Sequence, residues 1–283
     1  MSWLIFALVF WIGAWALNTW LANSQWRALL AVRVLIPVLF GVTLIVLWEG
    51  IVRGFGVSPV ILPAPSTVAQ TFAASTDILW EDFQQTVLKG ALSGFVMGVL
   101  AAFATAILID RSAFLTRGLL PIGNFVAALP IVGIAPILVS WFGFDWQSKA
   151  AVVVVMVFFP ILVNTVQGLR ETDAMQRDLM RTYAASYFDT LIKLRLPAAL
   201  PFVFNGLKIA TTLALIGAIV AEYFGSPTRG MGFRISTGVG SLSIDLVWTE
   251  IAVSAMAGTA FYGLVAWVEK RVTFWHPSHR GHG

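Results

Sequence analysis

The chain has 283 residues, of which 58% are apolar and only 11% are charged, and its mean hydropathy is +0.85. This composition is too apolar for a soluble domain of this length and predicts an all-α, polytopic membrane protein. The absence of cysteine excludes disulfides, thiolate metal ligands and a cysteine nucleophile. The net charge of +4 gives no indication of a nucleic-acid partner.

The first apolar run, residues 3–22, has about the length needed to cross a bilayer. No basic residue precedes it, which disfavours a cleaved signal peptide. We therefore interpret it as a true span, with removal or an interfacial helix as the alternatives. Arg27 and Arg33 follow, and residues 34–52 form the second predicted span.

A polar stretch, residues 53–85, separates the second and third predicted spans. It holds one Arg against Asp77, Glu81 and Asp82, and such a scarcity of basic residues is typical of an extracytoplasmic loop. Ser66 in this stretch is predicted to begin an amphipathic helix on the membrane surface.

The third predicted span, residues 86–109, carries Gly90, Gly94 and Gly98 at four-residue intervals. Small residues at this spacing let a neighbouring helix approach closely. The pattern favours packing within this chain, and a contact between two subunits is the alternative.

The fourth predicted span, residues 119–144, is interrupted by Pro121, Pro130 and Pro136. Each proline removes a backbone donor, and in lipid this is tolerated only where protein or a water-filled cavity satisfies the freed groups. This helix is therefore a candidate pore liner.

Three more spans complete the prediction of seven. Residues 145–149 form a short outer turn before the fifth span, 150–166. The sixth span is 199–224, and a Gly- and Ser-rich outer loop, 225–249, precedes the seventh, 250–268. Lys and Arg are more frequent in alternate loops, which predicts an N-terminus outside and a C-terminus in the cytoplasm. The two arginines of the last outer loop fit this assignment least well.

A polar segment, residues 169–198, separates the fifth and sixth spans. It holds nine of the 32 charged side chains (18 Lys and Arg plus 14 Asp and Glu), so it must face water, and the loop charges predict the cytoplasm. Asp173 with Gln176, and Ser186 with Asp189, have the spacing of capping boxes. The segment is therefore predicted to form two short helices.

Pro197 is predicted to end the second of these helices. The segment also carries more apolar surface than a solvated linker needs, so a partner is expected to cover it. The side chains concerned are Leu179, Met180, Tyr183, Tyr187 and Phe188. An ordinary loop that packs on its own membrane domain is the alternative.

The same segment resembles the signature of permease subunits of binding-protein-dependent ATP-binding-cassette (ABC) importers. That signature reads Glu-Ala-Ala, three residues, Gly, nine residues, Ile-x-Leu-Pro. Here Asp178-Leu179-Met180, Ala184 and Leu194-Arg195-Leu196-Pro197 keep every interval. Asp stands in place of the Glu, Leu and Met in place of the Ala pair, and Ala in place of the Gly.

The resemblance extends over about residues 35–275. Within this range the chain is similar to the nitrate, sulfonate and taurine branch of these permeases. Further segments that carry it are 61–66, 134–143, 158–165, 220–222 and 230–232. The resemblance divides the chain into an added N-terminal helix and loop, a permease domain with coupling helices, and a loose cytoplasmic tail. The bounds are 1–33, 34–275 with coupling helices at about 170–197, and 276–283.

The resemblance implies the pore-forming permease subunit of an ATP-driven importer in the cell inner membrane. The implied partners are two ABC ATPase subunits, a second copy of this chain as a homodimer, an extracytoplasmic solute-binding protein and the lipid bilayer. The sequence has no Gly-x-x-x-x-Gly-Lys-Ser/Thr phosphate loop, so ATP hydrolysis is expected from a partner, and no cofactor is expected. The residues expected to couple to the ATPase are Asp178, Leu179, Met180, Arg181, Tyr183, Ala184, Ser186, Leu194, Leu196 and Pro197.

Polar groups and one proline inside the spans are the candidates for the translocation path. They are Asn124, Pro130, Asn164, Asn205, Thr211, Thr212 and Glu222. Hydrogen bonds between helices, or a carboxylate at a helix end, are the alternatives. Lys208 either reaches back to the cytoplasmic surface or faces the pore. His276, His279 and His282 lie in the loose tail and are not expected to bind a metal.

Two other classes of function compete with an importer subunit. A secondary transporter or channel working without an ATPase needs ionisable groups at mid-membrane, and apart from Lys208 the charges lie near span ends. An intramembrane enzyme has little support, because the spans contain no Cys, no His and no paired carboxylates at helical spacing. The sequence does not choose the solute. Relatives carry nitrate, sulfonates, taurine, bicarbonate or aromatic vitamin precursors such as pyrimidines, and an external binding protein is expected to select among them.

Overall fold

The computed structural model describes residues 2–112, 114, 115, 117, 118, 121, 123, 129–226 and 228–275, and these residues form helices and connections without a β-strand. Six helical stretches are long and apolar enough to cross a membrane: Ser2–Asn23, Leu30–Phe55, Thr76–Arg111, Trp146–Arg170, Tyr187–Phe224 and Ile244–Val272. A shorter apolar helix, Ile131–Phe142, lies within the fourth predicted span. The predicted polytopic, all-helical fold is confirmed.

The chain divides into two compact units, Met1–Leu79 with Ile235–Ile251 and Trp80–Arg234 with Ala252–Gly283. The predicted division of the chain at residue 33 stays a prediction. Helix α1 (Ser2–Asn23) belongs to the same unit as the second predicted span.

In the first unit, α1 packs against α2 (Leu30–Phe55), and a 3₁₀ turn, Gln25–Ala28, joins them. Small residues make the contact. A Cβ added at Gly50 would lie 2.2 Å from the Cβ of Ala7, so these backbones approach as closely as glycine allows. The end of α2 therefore lies beside the start of α1, and the two helices run antiparallel.

Helix α3 (Pro65–Ala74) belongs to the same unit and begins one residue before the predicted start at Ser66. The Ser66 backbone N–H donates to the Glu49 carboxylate at 2.9 Å. That carboxylate also accepts from Arg53, which lies over the Trp3 ring at 5.2 Å. The carboxylate thus satisfies a free amide in the first turn of α3.

The second unit is built on three packed helices. The stretch Thr76–Arg111 comprises α4 (Thr76–Phe83), a π-helical segment (Gln84–Ala91) and α5 (Leu92–Arg111). After α6 (Ile131–Phe142), α7 (Trp146–Arg170) packs against both α5 and α10 (Leu196–Phe224). Apolar side chains from α5, α7 and α10 form the core of this unit.

The glycine stripe of the third span lies against α7. A Cβ at Gly94 would come within 2.5 Å of the Val153 Cβ, and one at Gly98 within 2.3 Å of the Val157 Cγ2. The expectation that these glycines pack within the chain is confirmed.

The predicted outer turn at residues 145–149 is wrong beyond its first residue. Asp145 caps α7, accepting from the Trp146 N–H at 2.8 Å, and the next residues form the first helical turn. Lys149 is completely buried there, and its ammonium donates to the backbone carbonyls of Phe144 and Gly225. These two carbonyls accept hydrogen bonds from the charged ammonium. Lys149, which suggested a water-exposed turn, therefore lies inside the protein.

The predicted loop at 225–249 is also wrong, because most of it is helical. Helix α11 covers Met231–Gly240, and α12 runs from Ile244 to Val272. Three free amides at the start of α11 meet buried acceptors: Gly230 donates to Asp82 at 2.6 Å, Met231 to Thr86 at 2.8 Å and Gly232 to Glu222 at 3.0 Å. Acceptors distant in sequence thus permit a helix in a segment whose glycines indicated a loop.

Candidate functional site

The polar segment between α7 and α10 forms a helical hook, residues 171–195. It contains α8 (Ala174–Thr182), a short helix α9 (Tyr187–Thr190) and a π-helical segment (Leu191–Arg195) that continues directly into α10. The two predicted short helices are confirmed.

Both predicted capping patterns are present in the hook. The Gln176 side chain accepts from the Asp173 backbone N–H at 3.2 Å. The Ser186 hydroxyl accepts from the Asp189 N–H at 3.1 Å. The starts of α8 and α9 are therefore determined locally, by side chains three residues apart.

Pro197 does not end the second helix, contrary to the prediction. It lies in the first turn of α10, and the helical path is unbroken from Tyr187 to Phe224. Just before it, the Leu196 N–H donates to the Leu191 carbonyl, five residues back, as in a π-helical turn. The wider turn accommodates a residue that cannot donate, so the hook and the span form one helical element.

The turn after α8 has a left-handed residue, Ala184, at φ +49°. The Ala184 N–H donates to the Arg181 carbonyl at 2.9 Å, and the Ala185 N–H to the Met180 carbonyl at 3.0 Å. This pair of bonds is a Schellman motif, whose left-handed position is usually glycine. The structure therefore gives a physical reason for the glycine of the importer signature at this position.

An apolar face of α8 and of the turn after it is exposed at the surface of the protein. The exposed fractions are 83% for Met175, 56% for Leu179 and 77% for Tyr183, which follow one another at four-residue intervals. Phe188 and Ile192, further along the hook, are exposed by 56% and 60%. A group of large apolar side chains exposed on a charged segment is a candidate docking surface.

A buried ion pair holds the hook to the ends of two spans. The Arg195 guanidinium donates to both oxygens of Asp110, at 2.6 and 2.7 Å, with side-chain exposures of only 14% and 8%. It also donates to the Leu169 carbonyl at 2.7 and 2.9 Å. Asp110 lies near the end of α5 and Leu169 near the end of α7, so one side chain ties the hook to both.

Aromatic contacts support this anchor. The Tyr187 hydroxyl donates to Asp110 at 2.8 Å. The Arg111 guanidinium lies 4.8 Å from the Tyr187 ring centre and 5.3 Å from that of Phe188, which are cation–π distances. Leu191 and Leu169 are buried in a small apolar cluster beside it. The ion pair, the aromatic contacts and the apolar cluster therefore fix the hook to the membrane helices.

The predicted coupling residues fall into two groups. Those of α8 and the turn after it are mostly exposed: Asp178, Leu179, Arg181, Tyr183, Ala184 and Ser186, with Met180 half-buried. Leu194, Leu196 and Pro197 are half-buried, and Leu196 packs against the apolar cluster. The anchor was not predicted, although Asp110 and Arg195 are charges at the edges of apolar runs, where partners are required.

The structure brings two of the predicted path residues together. The Asn205 side chain on α10 donates to the Asn164 side chain on α7 at 3.1 Å, and Asn164 donates to the Pro160 carbonyl at 2.8 Å. Asn205 remains exposed, and so does Thr212, two turns further along α10.

The other predicted path residues are separate from this pair. Thr211 is buried and donates to the Lys208 carbonyl at 2.7 Å. Pro130 precedes α6 as its N-cap, and Glu222 is buried beside Thr86, which donates to it at 2.7 Å. Asn124 lies outside the described residues, as do the tail histidines His276, His279 and His282.

Lys208 forms an ion pair with Glu269 at 2.7 Å, with side-chain exposures of 21% and 12%. The pair joins α10 to α12. The sequence left open whether Lys208 reaches the cytoplasmic surface or faces the pore. In the structure, Lys208 pairs with a carboxylate from another span.

Comparison with known proteins finds one family whose match covers most of the second unit. A family model described as binding-protein-dependent transport system inner membrane component matches residues 94–274, which include the hook and its anchor.

Individual relatives extend the similarity to most of the chain. A probable ABC transporter permease protein of Haemophilus influenzae is 32% identical over 240 residues, covering 85% of this chain and 97% of that protein. A formylaminopyrimidine transport permease protein of Halalkalibacterium halodurans is 33% identical over 198 residues, covering 70% and 78%. A taurine transport system permease protein of Escherichia coli is 27% identical over 263 residues, covering 89% and 94%.

Proposed function

Because the chain belongs to the family of binding-protein-dependent transport system inner membrane components, we propose that its hook is the surface on which a separate ABC ATPase docks and acts. The chain is a multi-pass permease subunit of an ABC importer. The observation that carries the proposal is the exposed apolar face of Met175, Leu179 and Tyr183 on the hook. The ion pair that fixes the hook to the membrane helices is buried.

The anchor gives this docking a mechanical consequence. A partner that grips α8 and moves would displace Arg195, and with it Asp110 on α5 and the Leu169 carbonyl on α7. Since the hook continues without a break into α10, all three helices of the core would move as rigid bodies. ATP hydrolysis in the partner would thereby change the packing of the translocation path.

The coupling residues have different roles in this proposal. The exposed side chains of α8 and its turn contact the ATPase, and Leu179 and Tyr183 supply the apolar area. Leu194, Leu196 and Pro197 are half-buried and belong to the segment that joins the hook to α10. Their substitution is therefore expected to weaken force transfer rather than binding of the ATPase.

We further propose a homodimer of this chain on two ATPase subunits, fed by an external solute-binding protein, with the N-terminus outside and the hook in the cytoplasm. One face of α10 supports a path at the dimer axis. Asn205, Ile209 and Thr212 are exposed along it at intervals of three or four residues, which places polar groups where a lone membrane helix would have none. Asn164 extends this polar strip onto α7.

For the solute, we propose a small anion of the nitrate, sulfonate or taurine kind, or an aromatic vitamin or pyrimidine precursor. The support is that the relatives named above include permeases for formylaminopyrimidine and for taurine. Isothermal titration calorimetry on the solute-binding protein that delivers solute to this permease tests the choice. Binding of neither class would overturn this part of the proposal.

Co-purification with the ABC ATPase that the permease is proposed to bind tests the docking surface. Leu179→Asp and Tyr183→Ser should abolish both co-elution and ATP-driven uptake into vesicles, since each removes apolar area from the contact. Arg177→Ala is the matched control, because it is exposed on the opposite side of α8 and should leave both unchanged. The melting temperature of the permease alone should be the same in all three variants.

Two results would contradict the proposal. Normal ATP-driven uptake in Leu179→Asp would show that the ATPase docks elsewhere. Uptake by this chain alone, without ATP or ATPase, would instead support a secondary transporter or channel.

The proposed orientation has an independent test, because the chain contains no cysteine. A single cysteine introduced as Arg177→Cys should react with an impermeant maleimide only from the cytoplasmic side. One introduced as Leu242→Cys, between α11 and α12, should react only from outside. Reversed labelling would place the hook away from ATP and overturn the proposal.

A further inference from the structure

Helices α1 and α2 of the first unit leave a groove between them, apart from the hook and the residues of the proposed path. The groove has a volume of about 490 Å³ and runs along α1 from Trp11 to Asn23 and along α2 from Ile36 to Leu44. It lies outside the residues that the family model matches. By helical rise, its α1 side is about 18 Å long, close to the depth of one leaflet of a bilayer core of about 30 Å.

On its α1 side the groove changes from apolar to polar along its length. Trp11 and Trp15 lie away from the α1–α2 connection, and Asn18, Thr19 and Asn23 lie towards it, whereas α2 lines the groove mostly with apolar side chains. This is the same change in polarity that a membrane lipid has from its acyl chain to its head group.

Asn18 adds an unsatisfied group within the groove. Its Oδ1 is buried and accepts no hydrogen bond from any residue that the structure describes. By contrast, Thr19 and Asn23 donate to carbonyls of their own helix, at 2.8 and 2.9 Å. Oδ1 can only accept, as can the ester oxygens of a lipid, so a lipid ester would instead accept from the amide N–H groups of Asn18.

Two arginines lie next to the polar end of the groove in the chain. Arg27 lies in the connecting turn, and Arg33 lies on α2 one turn before Pro37, on the same helix face. Residues 1–48 contain these two arginines and no Asp or Glu. Both side chains are exposed, and the ion pairs found among the described residues do not involve them. Their charge is therefore available to an anion from outside the protein.

We propose that this groove binds one anionic glycerophospholipid. The acyl chain lies along Trp11 and Phe40, the ester region reaches Asn18, and the phosphodiester lies at Arg27 and Arg33. Charge complementarity selects this occupant, because a neutral or zwitterionic lipid fills the apolar part equally well but gains less from two unpaired arginines. The lipid fills space between α1 and α2 and stabilises α1 against the rest of its unit.

Native mass spectrometry of the full-length protein tests the site, with phosphatidylglycerol and phosphatidylethanolamine of identical chains at equal concentration. The wild-type protein should retain one phosphatidylglycerol with about tenfold preference. The double variant Arg27→Gln, Arg33→Gln should lose this preference. Lys270→Gln with Arg271→Gln is the matched control, since it removes the same charge from the end of α12 and should keep the preference.

A second variant tests the apolar part of the groove. Ala22→Trp places a bulky ring in the groove while both arginines remain, so it should lose the retained phosphatidylglycerol. Phosphatidylglycerol should raise the melting temperature of the wild-type protein and of the control, but not of either groove variant. Equal retention of the two lipids by the wild-type protein, an equal loss in the control, or full retention by Ala22→Trp would overturn the proposal. None of these measurements depends on ATP-driven transport.

Discussion

Asp110 and Arg195 are 85 residues apart in the chain and form a two-pronged, nearly buried ion pair at the base of the hook. Removing one partner of such a pair leaves the other as an uncompensated buried charge, which costs about 3–5 kcal/mol. The pair is therefore expected to determine both the stability of this unit and the transfer of movement from the hook to the spans.

Asp110→Ala should lower the free energy of unfolding by about 3–5 kcal/mol, because Arg195 then remains buried without its carboxylate. Thermal unfolding in detergent measures the loss. Lys193→Gln is the control, since its ion pair with Asp189 is exposed on the hook and should contribute little. If Asp110→Ala unfolds at the wild-type temperature, the anchor does not hold the hook.

Ala184→Gly should stabilise the hook by about 1 kcal/mol, because glycine adopts the left-handed conformation of this turn without steric cost. Slower amide hydrogen exchange in residues 180–186 would report the gain. Ala185→Gly is the control and should give no gain, because the structure assigns no positive φ to this residue. Faster exchange in Ala184→Gly would contradict the role given to the turn.

Asp82→Ala should destabilise the second unit by about 3 kcal/mol, because Asp82 is fully buried, caps α11 and pairs with Arg234 at 2.8 Å. Hydrogen exchange at residues 230–234 should rise before the rest of the chain unfolds. The neighbouring variant Glu81→Ala should have little effect, since its pair with Arg229 is largely exposed. Equal effects of the two substitutions would mean that the cap is not the cause.

Gly98→Ala should destabilise the protein by about 1–3 kcal/mol, because the new Cβ would lie 2.3 Å from the Val157 Cγ2 in a packed core. Gly41→Ala on α2 meets nothing within 4 Å and should be neutral or slightly stabilising. Melting temperatures of the two variants check the difference. Similar values would show that α5 and α7 can separate without cost.

Much of the fold followed from local rules. Runs of apolar residues predicted the long helices, and side-chain spacing of three predicted the caps of α8 and α9, because these features depend on neighbours in sequence. The hook was predicted for the same reason, since nine charges cannot lie in lipid.

The misplaced elements depend instead on partners that are distant in sequence. Lys149 suggested a turn because the carbonyl of Gly225 that satisfies it lies 76 residues away. Helix α11 was predicted as a loop because its cap comes from Asp82, 148 residues earlier. The Asp110–Arg195 anchor could not be predicted from sequence spacing for the same reason.

The π-helical segment at Leu191–Arg195 has a consequence for the register of the helical element that contains it. It accommodates one residue more than an α-helical turn would, so the helix faces before and after it are out of phase by about 100°. Deleting one residue from Leu191–Arg195 would restore a continuous α-helix and rotate the hook about the axis of α10. Its apolar face would then point away from the direction it has now, although every side chain on that face would still be present.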